Sequence, residues 1–499
     1  MNLIKNTILP VALYTALSIN QTLHAQPLQR ETDIKNESHF NTLLFEYQKK
    51  SKELPLNAIF IKEEKLQGVR VRHYRLTFQI PKSEQNFKED KWLHDVIFYI
   101  PDKPYLERSL LIINNGINNP SSGQSVAKPT DFTVDMLVKL ANQTHTIVTS
   151  ISDIPNQYLI DEKDDKPRKE DDSIAHSWHL FMNDTAKNVP LQLPMTAAVS
   201  QAMSLAERVL KEWDIKTFIV TGLSKRGWTA WLTAISDPRV DAVVPFVIDL
   251  LNQRKALTHM YNVYGGNWPI AFAPYYNENI DTQINTSQFS KLMQVQDPLA
   301  YANGQYKERL SIPKYIINAS GDDFYAPDNA QFYYDKLPGE RSLRVIPNSN
   351  HYGVKAFAVQ TLTYFINRIQ QNAKLPDIRV TVEKHSNAET LTLHFSERPV
   401  RLSLWSANNP HSRDFRFACN IRYQQSALPL PVNNAMQLNL VYPPQGWSAA
   451  FIEATFSDGY VATTPIFISK DDTYPDKAPE KIGSACQTLP GRGLGLATE

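Results

Sequence analysis

Ser224, His351 and an aspartate at 322 or 323 are the residues whose types and spacing suit acyl transfer. A serine hydroxyl becomes nucleophilic when a neighbouring imidazole takes its proton. A carboxylate then holds that imidazole in the right tautomer and stabilises its charged form. Ser224 lies in FIVTGLSKRGW (218–228), where a short apolar run ends in Thr221-Gly222 and a helix-compatible segment follows. Strand, sharp turn with a serine at its tip, helix: this is the layout of a nucleophile elbow. The usual elbow reads G-x-S-x-G, whereas Arg226 holds the second glycine's place here and Gly227 comes one residue later. The plain alternative is a serine that caps the next helix.

The acid is open between two neighbours. Asp323 stands four residues before Pro327, and Asp322 directly follows Gly321. One is expected on the histidine and the other in the turn. An oxyanion hole needs two backbone N–H donors. Lys225 supplies one, and the loop after LLII (110–113), at Asn115 and Gly116, is expected to supply the other. Lys225 and Arg226 oppose the dipole of the helix they begin; they could add positive charge over the site, face solvent at the helix start, or serve a purpose such as pairing with a carboxylate. Glu170, Asp171 and Asp172 could hold a substrate's free amine, although a run of acids also suits a solvated loop.

Several elements must position these side chains. DAVVPFVIDL (241–250), PKYIINAS (313–320) and LRVIP (343–347) read as buried strands, Asn329 to Leu337 as a helix, and 354–370 as an amphipathic helix. Serine, acid and histidine thus follow successive strands in the chain order of an α/β-hydrolase, with the site at the carboxyl ends of a mostly parallel sheet. An aromatic-rich insertion at about 249–312 is expected to cap the site, its rings lining a pocket or forming the cap's own core. From 376 to 470 short alternating runs such as IRVTVEK, TLTLHF and AAFIEATF predict a β-sandwich, and 471–499 a loose tail.

Composition limits the function classes. The 499 residues exceed one compact core, and 42% hydrophobic content suffices for two domains, 26–375 and 376–470. A net charge of +1 gives no reason to expect nucleic acid or an anionic membrane surface, and a small-molecule or peptide substrate is expected. No metal or cofactor motif is present, so none is expected. Residues 1–25 combine a basic start, an apolar run and Ala25 before Gln26. They read as a signal peptide, which implies export to the periplasm or outside the cell. Cys419 and Cys486, the two cysteines, are expected to bridge in an oxidising compartment, free buried thiols being the alternative.

Longer blocks carry a resemblance. DIPNQYL (153–159), EDDSIAHSW (170–178), LPMTAAV (193–199), GLSKRGWTAWL (222–232), DPRVDAVVPFVIDLLN (237–252) and YGGNWP (264–269) resemble the PhoPQ-activated pathogenicity-related proteins. DPLAY (297–301), SGDDFYAPD (320–328), PNSNH (347–351) and LWSANNPHSRDFR (404–416) continue the match. The resemblance implies a secreted α/β-hydrolase-like protein in a family of bacteria and some amoebae, linked by name to virulence regulation. Amoebal relatives resemble growth-restraining factors with a suggested likeness to dipeptidyl peptidases. Members usually read GDEFF where this chain has Gly321-Asp322-Asp323-Phe324-Tyr325, which favours Asp322 as the acid. Three functions follow as expectations: a serine hydrolase of esters or amides, a dipeptidyl-peptidase-like exopeptidase, or a non-catalytic secreted binding factor.

Overall fold

The computed structural model describes residues 40–81, 87–118 and 125–496. The expected signal peptide lies outside them. Nine strands build one sheet: β1 (Asn57–Leu66), β2 (Val69–Gln79), β3 (Lys91–Ile100), β4 (Arg108–Ile113), β5 (Ile147–Ile151), β6 (Thr217–Leu223), β7 (Val240–Phe246), β8 (Lys314–Ala319) and β9 (Arg341–Ile346). Their spatial order is β1-β2-β3-β5-β4-β6-β7-β8-β9. The first three strands and the β3–β5 contact are antiparallel, and every pair from β5 to β9 is parallel. This is the sheet of an α/β-hydrolase, extended at its antiparallel edge.

The parallel strands are apolar on both faces because helices cover both. In β4, Leu111 and Ile113 enter one core and Leu110 and Ile112 the other. The first core takes in α1 (Leu43–Lys52), α4 (Gln192–Val209) and α5 (Lys225–Ser236); α2 (Val134–Thr144) belongs to the second. Between β5 and α4 runs α3 (Glu170–Asn183). From β4 the chain passes through α2 to β5, and from β6 through α5 to β7, on opposite faces of the sheet. Their carboxyl ends therefore flank a topological switch point, where the loops splay apart and leave a crevice.

The insertion between β7 and β8 holds α6 (Gln253–Val263), α7 (Ser287–Gln296) and short helical turns. Its aromatics stack on each other, Trp268 on Phe272 at 4.5 Å and Phe272 on Tyr275 at 5.2 Å. All three are buried in the first core, so this run is the cap's own packing. The segment after β8 departs from expectation. Residues 329–337 form two 3-10 turns rather than a helix, because Asn329 Nδ2 reaches the Asp249 carbonyl and Tyr333 adopts φ −139°. After β9 comes α8 (Lys355–Gln370), which packs in the second core.

The C-terminal strands form two antiparallel sheets. One is β10 (Ile378–Lys384), β11 (Ala388–Phe395) and β14 (Ala435–Val441). The other is β12 (Arg401–Asn409), β13 (Gln424–Leu428), β15 (Trp447–Thr455), β16 (Val461–Thr463) and β17 (Phe467–Ile468). Their apolar faces join the second core through Leu391, Leu393, Leu402 and Ile452. The last described residues are not loose. Thr488–Pro490 pairs antiparallel with Asn267–Pro269 of the cap, and Arg492 holds Asp281 through two nitrogens at 3.1 and 2.6 Å. Cys419 and Cys486 are joined by a disulfide, with an S–S length of 2.06 Å.

Candidate active site

β6 delivers Ser224 to the sheet's carboxyl edge, and α5 begins at once with Lys225. The turn between them puts Ser224 at φ 55°, ψ −125°, a conformation that costs on the order of 1–3 kcal/mol for a residue with a side chain. The Ser224 N–H donates to the Phe246 carbonyl at 2.8 Å, and the Trp228 N–H donates to the Ser224 carbonyl at 2.9 Å. Two glycines make the turn possible. A Cβ on Gly222 would sit 2.6 Å from the Arg226 carbonyl carbon and oxygen, and one on Gly227 would sit 2.9 Å from the Gly222 and Phe246 oxygens. Gly227 thus provides the close approach of helix to sheet, which leaves position 226 able to carry a side chain.

Ser224 is 7% exposed, and the acid–histidine pair lies at the ends of β8 and β9. His351 is fully buried, and its Nδ1 lies 3.0 and 2.9 Å from the two oxygens of Asp322. Among the described residues its Nε2 is buried with no hydrogen-bond partner. The two loops are laced together: the Gly321 N–H donates to the Ser349 carbonyl at 3.0 Å, and the Asn348 N–H to Ser320 Oγ at 2.9 Å. Phe324, Tyr352 and Tyr325 surround the imidazole with ring centroids at 4.6, 5.1 and 6.0 Å. Asp323 accepts the His351 backbone N–H rather than bonding the ring, and one of its carboxyl oxygens is buried without a partner. Burial, and then the charge of Asp322, push its pKa up to about 6.

The loop after β4 is held from both sides. Asn114 Oδ1 accepts the N–H groups of Asn115 and Phe132 at 3.1 and 3.2 Å, so the Asn115 amide is already engaged. Asn115 Oδ1 accepts from the N–H groups of Thr130 and Asp131 at 2.8 and 3.1 Å. Gly116 has φ 126°, a conformation that favours glycine.

Lys225 and Arg226 are buried rather than facing solvent at the helix start, and both pair with carboxylates. Lys225 Nζ lies 2.9 Å from Glu170 Oε2 and 3.0 Å from Asp171 Oδ2. Arg226 Nη2 bonds Glu170 Oε1, its Nη1 lies 3.4 Å from Asp131 Oδ2, and its Nε donates to the Ile154 carbonyl at 2.6 Å. Burial opposes ionisation of Glu170, but Arg226 and then Lys225 outweigh it and hold its pKa well below the usual value. Lys225 mirrors this: burial disfavours its charge, and Asp171 and Glu170 raise its pKa above the ordinary lysine range. Tyr275 of the cap donates to Asp171 Oδ1 at 3.1 Å.

Glu170 and Asp171 therefore neutralise the elbow's own cations rather than standing free for a ligand's amine, and Asp172 is exposed. Asp131, Gln157 and Tyr275 also belong to this network, through Arg226, Glu170 and Asp171 respectively. The DIPNQYL block hinted at Gln157 and the aromatic-rich insertion at Tyr275, whereas no local signal pointed to Asp131. Among the described residues the grouping with metal-ligand composition is Asp414, Cys419 and Cys486, whose sulfurs are spent in the disulfide.

The chain is 28% identical over 422 residues to autocrine proliferation repressor protein A of Dictyostelium discoideum, covering 80% of this chain and 82% of that protein. Among solved structures it is similar to an acetyl xylan esterase from Paenibacillus sp. R4, with TM-score 0.44 and 14% identity over 68% of this chain and 99% of that one. A second is acetyl xylan esterase 1 from Thermoanaerobacterium sp. JW/SL YS485, with TM-score 0.41 and 13% identity over 66% and 93%. The fold assignment rests on the strand order given above. Residues 44–416, which span the elbow, both loops of the acid–histidine pair and the cap, match one family over three quarters of the sequence, and the chain belongs to the PhoPQ-activated pathogenicity-related proteins.

Proposed function

We propose that this protein is an exported serine hydrolase that cleaves an ester or amide through an acyl-enzyme on Ser224. The observation that carries the reading is the strained Ser224 at the end of β6, together with the buried His351–Asp322 pair at the ends of β9 and β8. Ser224 Oγ attacks the substrate carbonyl while His351 Nε2, unpartnered at rest, takes its proton. Asp322 on Nδ1 fixes the tautomer and stabilises the imidazolium. The hydrogen bond between Ser224 Oγ and His351 Nε2 forms once substrate is bound. Negative charge on the carbonyl oxygen falls to the Lys225 N–H and, because the Asn115 amide is used locally, to the Gly116 N–H. His351 returns the proton to the leaving group, and water then repeats the sequence in reverse roles.

The site's charge arrangement favours a neutral acyl group over an exopeptidase substrate. An exopeptidase needs unneutralised carboxylates for the substrate's ammonium, and here Lys225 and Arg226 occupy Glu170 and Asp171. The Cys419–Cys486 bridge supports an oxidising compartment, and no helix of the described residues is long and apolar enough to cross a membrane. The virulence link stays with the family's name.

Fluorophosphonate labelling of the folded protein, read by intact mass beside Ser224→Ala, tests the reading. We expect one adduct on the native protein and none on the variant. A folded native protein that takes no adduct would overturn it in favour of a secreted binding factor, and a variant that still takes one would place the nucleophile elsewhere.

A further inference from the structure

We propose that Arg226 is a positioning residue that locks the two halves of the oxyanion hole to each other; the inference rests on the hydrolase reading above. One half, the Lys225 amide, sits on the elbow. The other, the Gly116 amide, sits on the loop after β4, on a different strand and a different chain segment. Donors stabilise an oxyanion when both stand about 2.7–3.1 Å from it, so their mutual spacing has to be held to a few tenths of an ångström.

The guanidinium bridges the two halves. Its Nε donates to the Ile154 carbonyl at 2.6 Å. The same segment hydrogen-bonds back to the oxyanion loop, the Ile154 N–H to the Asn114 carbonyl and the Asp153 N–H to the Asn115 carbonyl, each at 3.2 Å. Its Nη1 meets Asp131, whose own N–H donates to Asn115 Oδ1 at 3.1 Å. Both routes from Arg226 therefore end on Asn114–Asn115, immediately before Gly116. Its third nitrogen takes Glu170, which also clamps Lys225. One planar fork with five N–H donors can serve these three directions at once, whereas an ammonium is a single point.

The arrangement also accounts for the departure from G-x-S-x-G. A glycine at 226 would offer no bridge, and Gly227 already provides the close helix–sheet approach. Asp131 extends the brace to the histidine side, since Lys355 Nζ lies 3.7 Å from it and donates to the Thr130 carbonyl at 3.2 Å.

The test measures kcat and KM for p-nitrophenyl acetate with the native protein, Arg226→Gln and Arg226→Lys, each checked for a cooperative melt. A misplaced oxyanion donor lowers transition-state but not ground-state binding. The expected result is a kcat lower by about 100-fold with KM changed less than about threefold. Arg226→Lys keeps a buried cation for Glu170, so it should fold even where Arg226→Gln does not, and it should still lose at least about tenfold in kcat. Native kcat in a folded Arg226→Lys, or a loss that appears wholly in KM, overturns the inference while leaving the hydrolase reading intact. A native protein that neither turns over this ester nor labels at Ser224 overturns both.

Discussion

Two adjacent aspartates, one on the imidazole and one beside it, sit in different environments at residue scale. Asp322 gives both oxygens to His351 Nδ1 and also accepts the Phe324 N–H at 2.8 Å, so its geometry is fixed from two sides. Asp322→Asn should therefore lower kcat/KM for p-nitrophenyl acetate by about 10³–10⁴-fold, since the amide imposes the wrong tautomer. Asp323→Asn should stay within about tenfold of the native rate and stabilise the protein. Its pKa is raised from 3.8 to about 6, so the folded state holds the proton more tightly than the unfolded chain. Stability is therefore lost as pH rises from about 4 to about 6, and the deficit persists above that. Melting temperatures of Asp323→Asn and native protein should be close near pH 4 and diverge in the variant's favour up to pH 6–7. Equal and mild rate losses in both variants would place the acid elsewhere.

Among the elements, the elbow depends on how closely α5 approaches β6 and β7. Gly227 faces two carbonyl oxygens, of Gly222 and Phe246, and neither can swing aside without breaking the strands. Gly227→Ala should cost about 1–3 kcal/mol, read as a lower urea midpoint, despite alanine's better helix propensity. An unchanged or higher midpoint would show that the helix can back away from the sheet. The strands themselves were legible because runs such as LLII and FIV are apolar on both faces, which only a doubly covered strand sustains. The turns at 329–337 were not, because side-chain bonds from Asn329 and Tyr333 to Asp249 override a helical pattern.

At the scale of the whole molecule, the connection between β12 and β13 braces the loops that hold Asp322 and His351. The Phe417 N–H donates to the Gly321 carbonyl at 3.1 Å, and a Cβ on Gly321 would strike the Phe417 nitrogen at 2.6 Å. Asn348, three residues before the histidine, exchanges two hydrogen bonds with the Tyr423 backbone at 2.9 and 2.7 Å. Buried Arg413 holds Asp328 at 2.9 Å, just past the acid loop. From residue 40 onward the chain is one compact unit, so calorimetry of the full protein should show a single transition, and a chain ending at residue 375 should not fold cooperatively. Two resolved transitions would mean that the sheets fold independently. The sequence by itself determined the strands that carry the site, the elbow and the chain order of serine, acid and histidine, because each is written in local apolar runs and turn residues within about a dozen positions. Only the tertiary structure decided which aspartate meets His351, that Glu170 and Asp131 belong to Arg226, and that residues 488–490 pair with the cap. Those choices depend on the direction in which a loop presents its side chains and on contacts between segments far apart in the chain. Composition and periodicity carry no record of either.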